Sequence, residues 1–406
     1  LGKSDFEAYM TEVGMTISEL NYVGKHLKRW MKEKGVLTPL AQFPAKSFEV
    51  PEPYGTVLIM APWNYPFMLC IEPLIGAIAA GNCCVVKPSA YAPHTSAIIK
   101  KILSCIFPEE FVAVVEGGRE ENTALLEQEF DYIFFTGSKN VGKIVLKKAA
   151  ENLTPVTLEL GGKSPCIVDE TADLKLAAKR LVFGKYLNSG QTCVAPDYLF
   201  VQESVKQKFI EYLKYWIDKM FGTEPLKNSD YPRIINEKHY ERLMKLIEGE
   251  SIVKGGYGNK ERLFIAPTVL DNITEHSPIM QEEIFGPILP VLSYGNLEEA
   301  EAFIKKGEKP LALYLFTGNK KTEQRILNTI SFGGGCINDT IIHLATSRMG
   351  FGGVGASGMG SYHGKRSFDT FSHTRSIVKK YQWIDLPIRY QPYTRRKKKL
   401  LHLFLK

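Results

Sequence analysis

The segment Asn188-Ser-Gly-Gln-Thr-Cys193-Val-Ala-Pro-Asp-Tyr198 sets one cysteine between a helix-length stretch and an apolar strand-like run. A thiol so placed can serve as a nucleophile, although most lone cysteines only fill a core. Glu159 closes the run PVTLEL ahead of Gly161 and Gly162, which let backbone come close to a ligand. Its carboxylate can take a proton from water or a thiol, or it can sit in a surface ion pair. Asn64, in APWNYP, stands between aromatic and proline residues that would fix its amide, and an anchored N–H donor beside a sulfur nucleophile suits an oxyanion hole. Thiol, carboxylate and amide donor are all expected at loop ends facing one cleft.

Anion binding has its own candidates. The run DYIFFTG leads into Ser138-Lys139-Asn140-Val141-Gly142-Lys143, a glycine turn opening a helix, where backbone N–H groups and the positive helix end meet phosphate. GSKNVGK fits a nucleotide-hydrolase loop except at Ile144, which cannot ligate magnesium. The G-x-G-x-x-G fingerprint is absent, so a dinucleotide must be held by a variant turn. Lys87, ending the strand-like VVKPS, can reach a ribose hydroxyl or phosphate, or lie solvated. The glycine-rich stretch Gly350 to Gly364 reads as turns through a crowded region rather than a phosphate cradle.

The elements that must position these groups follow from periodicity. GTVLIMA, CCVVKP, FVAVVEG, DYIFFTG and PVTLEL alternate with helical stretches such as Met68 to Ala80 and Val141 to Ala150. The pattern predicts an α/β fold with a doubly wound parallel sheet, whose ligands bind beyond the carboxyl ends of its strands. After Gly161 a second α/β unit is expected, with a helix near Leu174 to Leu187, strands near Tyr198 to Val201 and Ile265 to Leu270, and a mixed stretch from Pro287 to Ile337. Val36 to Pro53 and Ser367 to Lys380 read as exposed strands that pair into a small projecting sheet, with open edges for another subunit.

Bulk properties narrow the classes. The 406 residues, 44% hydrophobic and 23% charged, suit a soluble protein of two or more domains. Seven scattered cysteines suit a reducing compartment, and neither they nor the histidines make a metal motif, so no metal is expected. Much of the net charge of +7 sits in the tail Tyr393-Thr-Arg-Arg-Lys-Lys-Lys-Leu, which argues against a nucleic-acid partner. No apolar run is long enough to span a bilayer. The chain opens on Leu1 with a helical pattern and no signal-like core, as though it began inside a longer protein.

Taken together, PWNYP, GNCCVVKPS, FTGSKNVGK, LELGGKSP, NSGQTCVAPDY, QEEIFGPILP and GVGASGMGSYHGKRSFDTFSH resemble the aldehyde dehydrogenase superfamily, in family order across nearly the whole chain. APDY and YHGKRSFDTFSH look like its class 3 branch, which includes fatty and aromatic aldehyde dehydrogenases, with the first helices lacking. The resemblance implies a coenzyme domain (1–31 and 53–161), a catalytic domain (162–348), an oligomerisation hairpin (32–52 and 349–384) and a basic tail (385–406). It implies an NAD- or NADP-dependent oxidation of an aldehyde through a thioester on Cys193. Asn64 and the Cys193 backbone N–H would hold the oxyanion, and Glu159 would be the general base, with Glu283 a rival. By the same match Trp63, Lys87, Thr136, Gly137, Ser138, Val141, Leu160, Glu283 and Phe285 would contact the coenzyme, and Tyr65, Met68 and His363, or Tyr186, would line the substrate pocket.

Where the family often shows KPSE, this chain has KPSA, and losing the carboxylate at Ala90 removes a repulsion against a 2′-phosphate, so NADP is expected beside NAD. A homodimer in the cytoplasm is expected. The tail RRKKKLLHLFLK suits either an anionic membrane surface or a strap on a partner subunit. Two other readings stay open: a cysteine hydrolase working without coenzyme, and a non-catalytic relative keeping the fold.

Overall fold

A computed structural model describes residues 1–404; the last two residues of the basic and apolar tail lie outside the described residues. The five runs expected in the first unit form strands Thr56–Met60, Cys83–Lys87, Val112–Val114, Tyr132–Thr136 and Val156–Glu159, all parallel. Alternate side chains serve opposite layers. Val57, Ile59, Val86 and Phe134 pack with Cys70, Leu74 and Ala77 of the helix Met68–Ala79 and with Ile99 and Leu103 of Pro93–Ile106. Leu58, Met60, Ile133 and Leu158 pack with Val145 and Ala149 of Lys139–Glu151. Covering both faces is why these strands read as near-continuous apolar runs, each buried side chain contributing about 1.5–3 kcal/mol.

The strand Thr56–Met60 is central, and the chain winds outward from it in both directions: Cys83–Lys87 and Val112–Val114 on one side, Tyr132–Thr136 and Val156–Glu159 on the other. The strand order therefore reverses between Thr56–Met60 and Tyr132–Thr136, and the crevice at such a reversal is where a doubly wound sheet binds its ligand. Asn64 follows the first of these strands and Ser138 the second.

A second sheet of seven strands carries the rest: Pro165–Val168, Tyr198–Gln202, Ile288–Tyr294, Ala312–Phe316 and Gly334–Ile337 are parallel, with Thr268–Asp271 and an antiparallel edge, Ser251–Lys254. The helix Leu174–Tyr186 covers one face through Ala177, Leu181 and Val182. The strand expected over Ile265 to Leu270 is broken into Phe264–Ile265 and Thr268–Asp271 because Pro267, which lacks an N–H, interrupts the ladder.

The projecting sheet is present, with different bounds. Ala45–Pro53 pairs antiparallel with Ser372–Lys380 over nine residues, and Lys34–Val36 adds a third strand. Val36 to Pro53 is thus not one strand: residues 37–44 form a loop containing Pro39 and Pro44, neither able to donate to a ladder. The first part of the expected strand at Ser367 is helical, Lys365–Thr370, because Ser367 and Phe368 are buried, with Ser367 standing against Gly76 of the helix Met68–Ala79. The stretch expected to bridge also returns to the first sheet, where Gly358–Met359 pairs antiparallel with Val156–Glu159. Its glycines mark crowding: a Cβ at Gly353 would stand 2.2 Å from the Ser357 carbonyl oxygen, and one at Gly358 2.2 Å from that of Leu158.

Candidate active site

Cys193 lies on a turn with an unusual backbone. Asn188 and Ser189 both have φ of 51° and Gly190 has 71°, three successive left-handed residues. A Cβ at Gly190 would stand 2.2 Å from the Gly286 carbonyl oxygen, so only glycine fits there. Left-handed residues other than glycine cost on the order of 1–3 kcal/mol each and persist only when their surroundings hold them. Here the Ser189 hydroxyl donates to the Pro232 carbonyl, and the Gln191 amide donates to the carbonyls of Asn188 and Arg233. On the far side of Cys193, the Tyr314 hydroxyl donates to the Val194 carbonyl at 2.6 Å.

Asn64 meets this turn. Its buried Nδ2 donates to the Gln191 carbonyl at 3.1 Å, and Asn188 Nδ2 donates both to that carbonyl and to the Asn64 carbonyl. Next to it, the Tyr65 hydroxyl bonds the Thr192 hydroxyl at 2.7 Å. The loops of Asn64 and Cys193 are therefore stitched together at residues 191 and 192, one or two positions ahead of the sulfur. The second N–H of Asn64 Nδ2 is free of this pairing and available to an oxyanion.

The carboxylates converge from the other side. Glu159 is 2% exposed, and neither of its carboxyl oxygens has a hydrogen-bond partner. Desolvation raises its pKa well above the usual carboxylate range. The Glu283 carboxyl lies against the backbone of Gly161, where a Cβ would stand 2.3 Å from its Oε2, so the two acids flank a single turn. Burial, followed by the charge of Asp197, pushes the Glu283 carboxyl up to about 8. Burial also pushes the Cys193 thiol up to about 12, with Glu283 and then Glu159 adding to it. The resting sulfur is thus a neutral thiol, and it must give up its proton before it can attack.

The anion turn is formed as its sequence implies. Ser138 caps the helix Lys139–Glu151, its hydroxyl accepting from Val141 N at 3.4 Å. Gly142 lets the helix pack close to Leu160: a Cβ there would stand 2.7 Å from Leu160 Cδ2, so the leucine side chain would have to shift. Thr136, at the strand end beside it, keeps a buried hydroxyl without a partner, which fits a phosphate-bearing group. Lys87 is buried at the end of Cys83–Lys87, on the other side of Thr56–Met60, and donates to the Gly117 and Pro88 carbonyls, with Ala90 exposed three residues on. Trp63 stacks edge-on with Phe285, centroids 5.4 Å apart, and Phe285 holds a left-handed φ of 49°.

Of the pocket residues, Tyr65 and Met68 cluster with Leu69 and Met15. His363 lies across from them on a small cleft of about 30 Å³ that Met15 also lines, with its Nε2 3.3 Å from Glu72. Tyr186 does not join them: it is fully buried, bonded to the Thr268 carbonyl and packed on Phe221. Sequence reasoning missed Asn188, Gln191 and Thr192. They stand inside the quoted motif, yet nothing in their types says that they tie two loops together. Among the described residues no group of three or more His, Cys, Asp or Glu is disposed to hold a metal ion, and no helix is long and apolar enough to cross a membrane.

A doubly wound sheet whose crevice meets a thiol, two acids and an amide across a second α/β domain defines an oxidoreductase of the dinucleotide-binding class. The chain belongs to the aldehyde dehydrogenase family, whose profile matches residues 1–377. It is 53% identical over 395 residues to a 4,4'-diaponeurosporen-aldehyde dehydrogenase of Staphylococcus aureus, covering 97% of this chain and 86% of that protein. It is 46% identical over 406 residues to aldehyde dehydrogenase family 3 member H1 of Arabidopsis thaliana, covering 99% of this chain and 84% of that one. A solved structure of the substrate-bound state of Staphylococcus aureus AldH superposes with a TM-score of 0.98 at 52% identity, covering 100% of this chain and 89% of the other. The class 3 resemblance thus holds, and the reaction is oxidation of an aldehyde to its carboxylic acid with NAD(P)+.

Proposed function

We propose that Cys193 is the nucleophile of this oxidation, Asn64 its oxyanion donor and Glu159 the base that activates water against the resulting thioester. The observation that carries this is the stitching of Asn64 to the Cys193 turn, with the unpartnered Glu159 carboxyl close enough for its charge to act on the thiol. The neutral thiol gives its proton to solvent water as its sulfur bonds the aldehyde carbon, and the carbonyl oxygen takes up the charge beside Asn64 Nδ2 and the Cys193 N–H. Burial raises the Glu159 carboxyl well above the usual carboxylate range, which makes its carboxylate form a stronger base toward water. Glu283 is better suited to hold the coenzyme's ribose from the edge of the Gly161 turn, with Trp63, Phe285 and Leu160 around it. Thr136, Gly137, Ser138 and Val141 would hold the pyrophosphate, and Lys87 the adenosine ribose. When bound, the coenzyme supplies a hydride acceptor.

This reading divides the chain into a coenzyme domain (1–31 and 53–161), a catalytic domain (162–348), a bridging sheet and a tail. Tyr65, Met68 and His363 favour an apolar aldehyde, aliphatic or aromatic, because their walls are aromatic and sulfur-bearing. Ala90, exposed, puts no carboxylate of its own there to repel a 2′-phosphate. A coenzyme-reduction assay over aliphatic and aromatic aldehydes should show turnover with both coenzymes, NADP+ within about a hundredfold of NAD+ in kcat/KM. Reduction of NAD+ alone would sink the charge argument.

The exposed edge of Ser372–Lys380 supports a homodimer, with that strand extended across the pair. The helix Arg395–Phe404 begins with five cations and exposes Leu400 and Leu403, which supports a cytoplasmic enzyme that touches anionic membrane. One sedimentation experiment tests both. The full chain should run at twice its mass alone, and pellet with phosphatidylserine vesicles at low salt but not at about 0.5 M. A single-chain mass overturns the pairing, and protein left wholly in the supernatant overturns the membrane contact.

A further inference from the structure

The first thirty residues hold three buried acids that the mechanism above does not use. Glu7, Glu12 and Glu19 all lie on the inner face of one helical run, Asp5–Trp30, and each is less than 9% exposed. An uninterrupted α-helix would not set residues 7 and 12 on one face. The run contains a π turn, Tyr9–Val13, closed by Gly14 N donating to the Tyr9 carbonyl, and that wider turn brings the fifth residue round beneath the first.

Each acid holds the backbone of a different loop. Glu7 Oε1 accepts from Asn188 N at 2.8 Å, at the first of the left-handed residues that lead to Cys193. Glu12 Oε2 accepts from Phe67 N at 2.8 Å and Met68 N at 3.4 Å, the opening amides of the helix that follows Asn64 and Tyr65, where a negative charge is favoured. Glu19 Oε1 accepts from Gly364 N at 2.6 Å, directly after His363. Lys3 completes the set. Its buried Nζ pairs with Glu12 Oε1 at 2.7 Å, donates to the Asn64 carbonyl at 2.8 Å, and stands 3.8 Å over the Tyr65 ring. Asn64 is thus gripped twice: by Lys3 at its own carbonyl and by Glu12 three residues on.

We propose that this N-terminal run is the positioning element of the active site, with Lys3, Glu7, Glu12 and Glu19 setting the loops of Asn64, Cys193 and His363. The inference rests on the reading of Cys193 and Asn64 given above. None of the four touches the reacting atoms; their effect passes through the residues they hold, Lys3 and Glu12 through Asn64. If so, removing the Lys3 ammonium matters only while Asn64 has an amide to place.

The test is a double-variant cycle on the full chain, read by coenzyme-free hydrolysis of p-nitrophenyl acetate and by aldehyde oxidation. Lys3→Met should lower kcat in both reactions about tenfold, with KM for the coenzyme within about twofold, and should cost less than about twofold more in an Asn64→Ala background. Should Lys3→Met not yield folded protein, Glu12→Asp, which keeps the charge for Lys3 but shortens the reach to Phe67 N, should show the same dependence on Asn64. Equal losses in both backgrounds, or no loss, overturn the proposal. Cys193→Ser is the control. If it still hydrolyses the ester, the reading of Cys193 falls and this inference with it; if it does not, equal losses count against the positioning role alone.

Discussion

Cys193→Ser is expected to lower kcat for aldehyde oxidation by about 10⁴-fold or more, with the protein folded and coenzyme binding retained. The substitution changes one atom in a fully packed turn, so the left-handed residues before it and the Asn64 bond to Gln191 can persist. What changes is the chemistry of the nucleophile. The buried thiol, at about 12, is already reluctant to ionise, and a hydroxyl in the same place is far more so. Stopped-flow absorbance of reduced coenzyme checks this directly. Wild type should show reduced coenzyme in its first turnover, and the serine variant none above the uncatalysed slope. Turnover within tenfold of wild type would remove the covalent mechanism and leave the other six cysteines to be considered.

The five strands of the first sheet were legible because a parallel strand covered on both faces must be apolar at nearly every position, as in Val57-Leu58-Ile59. Asn64, Glu159 and Ser138 were legible for a related reason: each stands at the carboxyl end of such a strand or a few residues beyond it, where a doubly wound sheet opens its crevice. The errors have the opposite character. Val36 to Pro53 and Ile265 to Leu270 alternate like strands, but Pro39, Pro44 and Pro267 remove the N–H groups a ladder needs. Residues 367–370 read as strand and fold as helix because Ser367 stands against Gly76 of the helix Met68–Ala79 and Phe368 packs on Trp30, tertiary contacts with no local trace.

The ionisation of Cys193 has no local signature for a similar reason. Its motif shows a nucleophile's neighbours in sequence, whereas the thiol's proton is governed by burial and by Glu283 and Glu159, which are 90 and 34 residues away in the chain. The N-terminal acids were the hardest to see. Spacing read at 3.6 residues per turn puts Glu7 and Glu12 about 140° apart, on different faces. The π turn, which that spacing does not show, brings them to the same buried side.

The choice between the two acids gives the second large effect. Glu159→Gln should slow turnover about 10²- to 10⁴-fold while leaving a full first turnover, so that one equivalent of reduced coenzyme appears per site and the thioester then persists. Glu283→Gln should keep kcat within about tenfold and instead raise KM for the coenzyme. The physical ground is the environment of each carboxyl. Glu159 has no partner at all, so its oxygens are free to accept a proton from water. Glu283 shares its site with Asp197, Lys163 and Arg242 and lies on the backbone of the Gly161 turn, a setting that fixes it for binding. The sign with pH follows from burial. Glu159's pKa is raised, so its basic form is lost as pH falls through that raised value, and deacylation should increase with pH on the acid limb; Glu159→Gln should flatten that limb, and Glu283→Gln should leave it. Mass spectrometry of the quenched enzyme, reading the acyl group on the Cys193 peptide, separates the cases. Acyl-enzyme that accumulates in Glu283→Gln and not in Glu159→Gln would exchange the two roles.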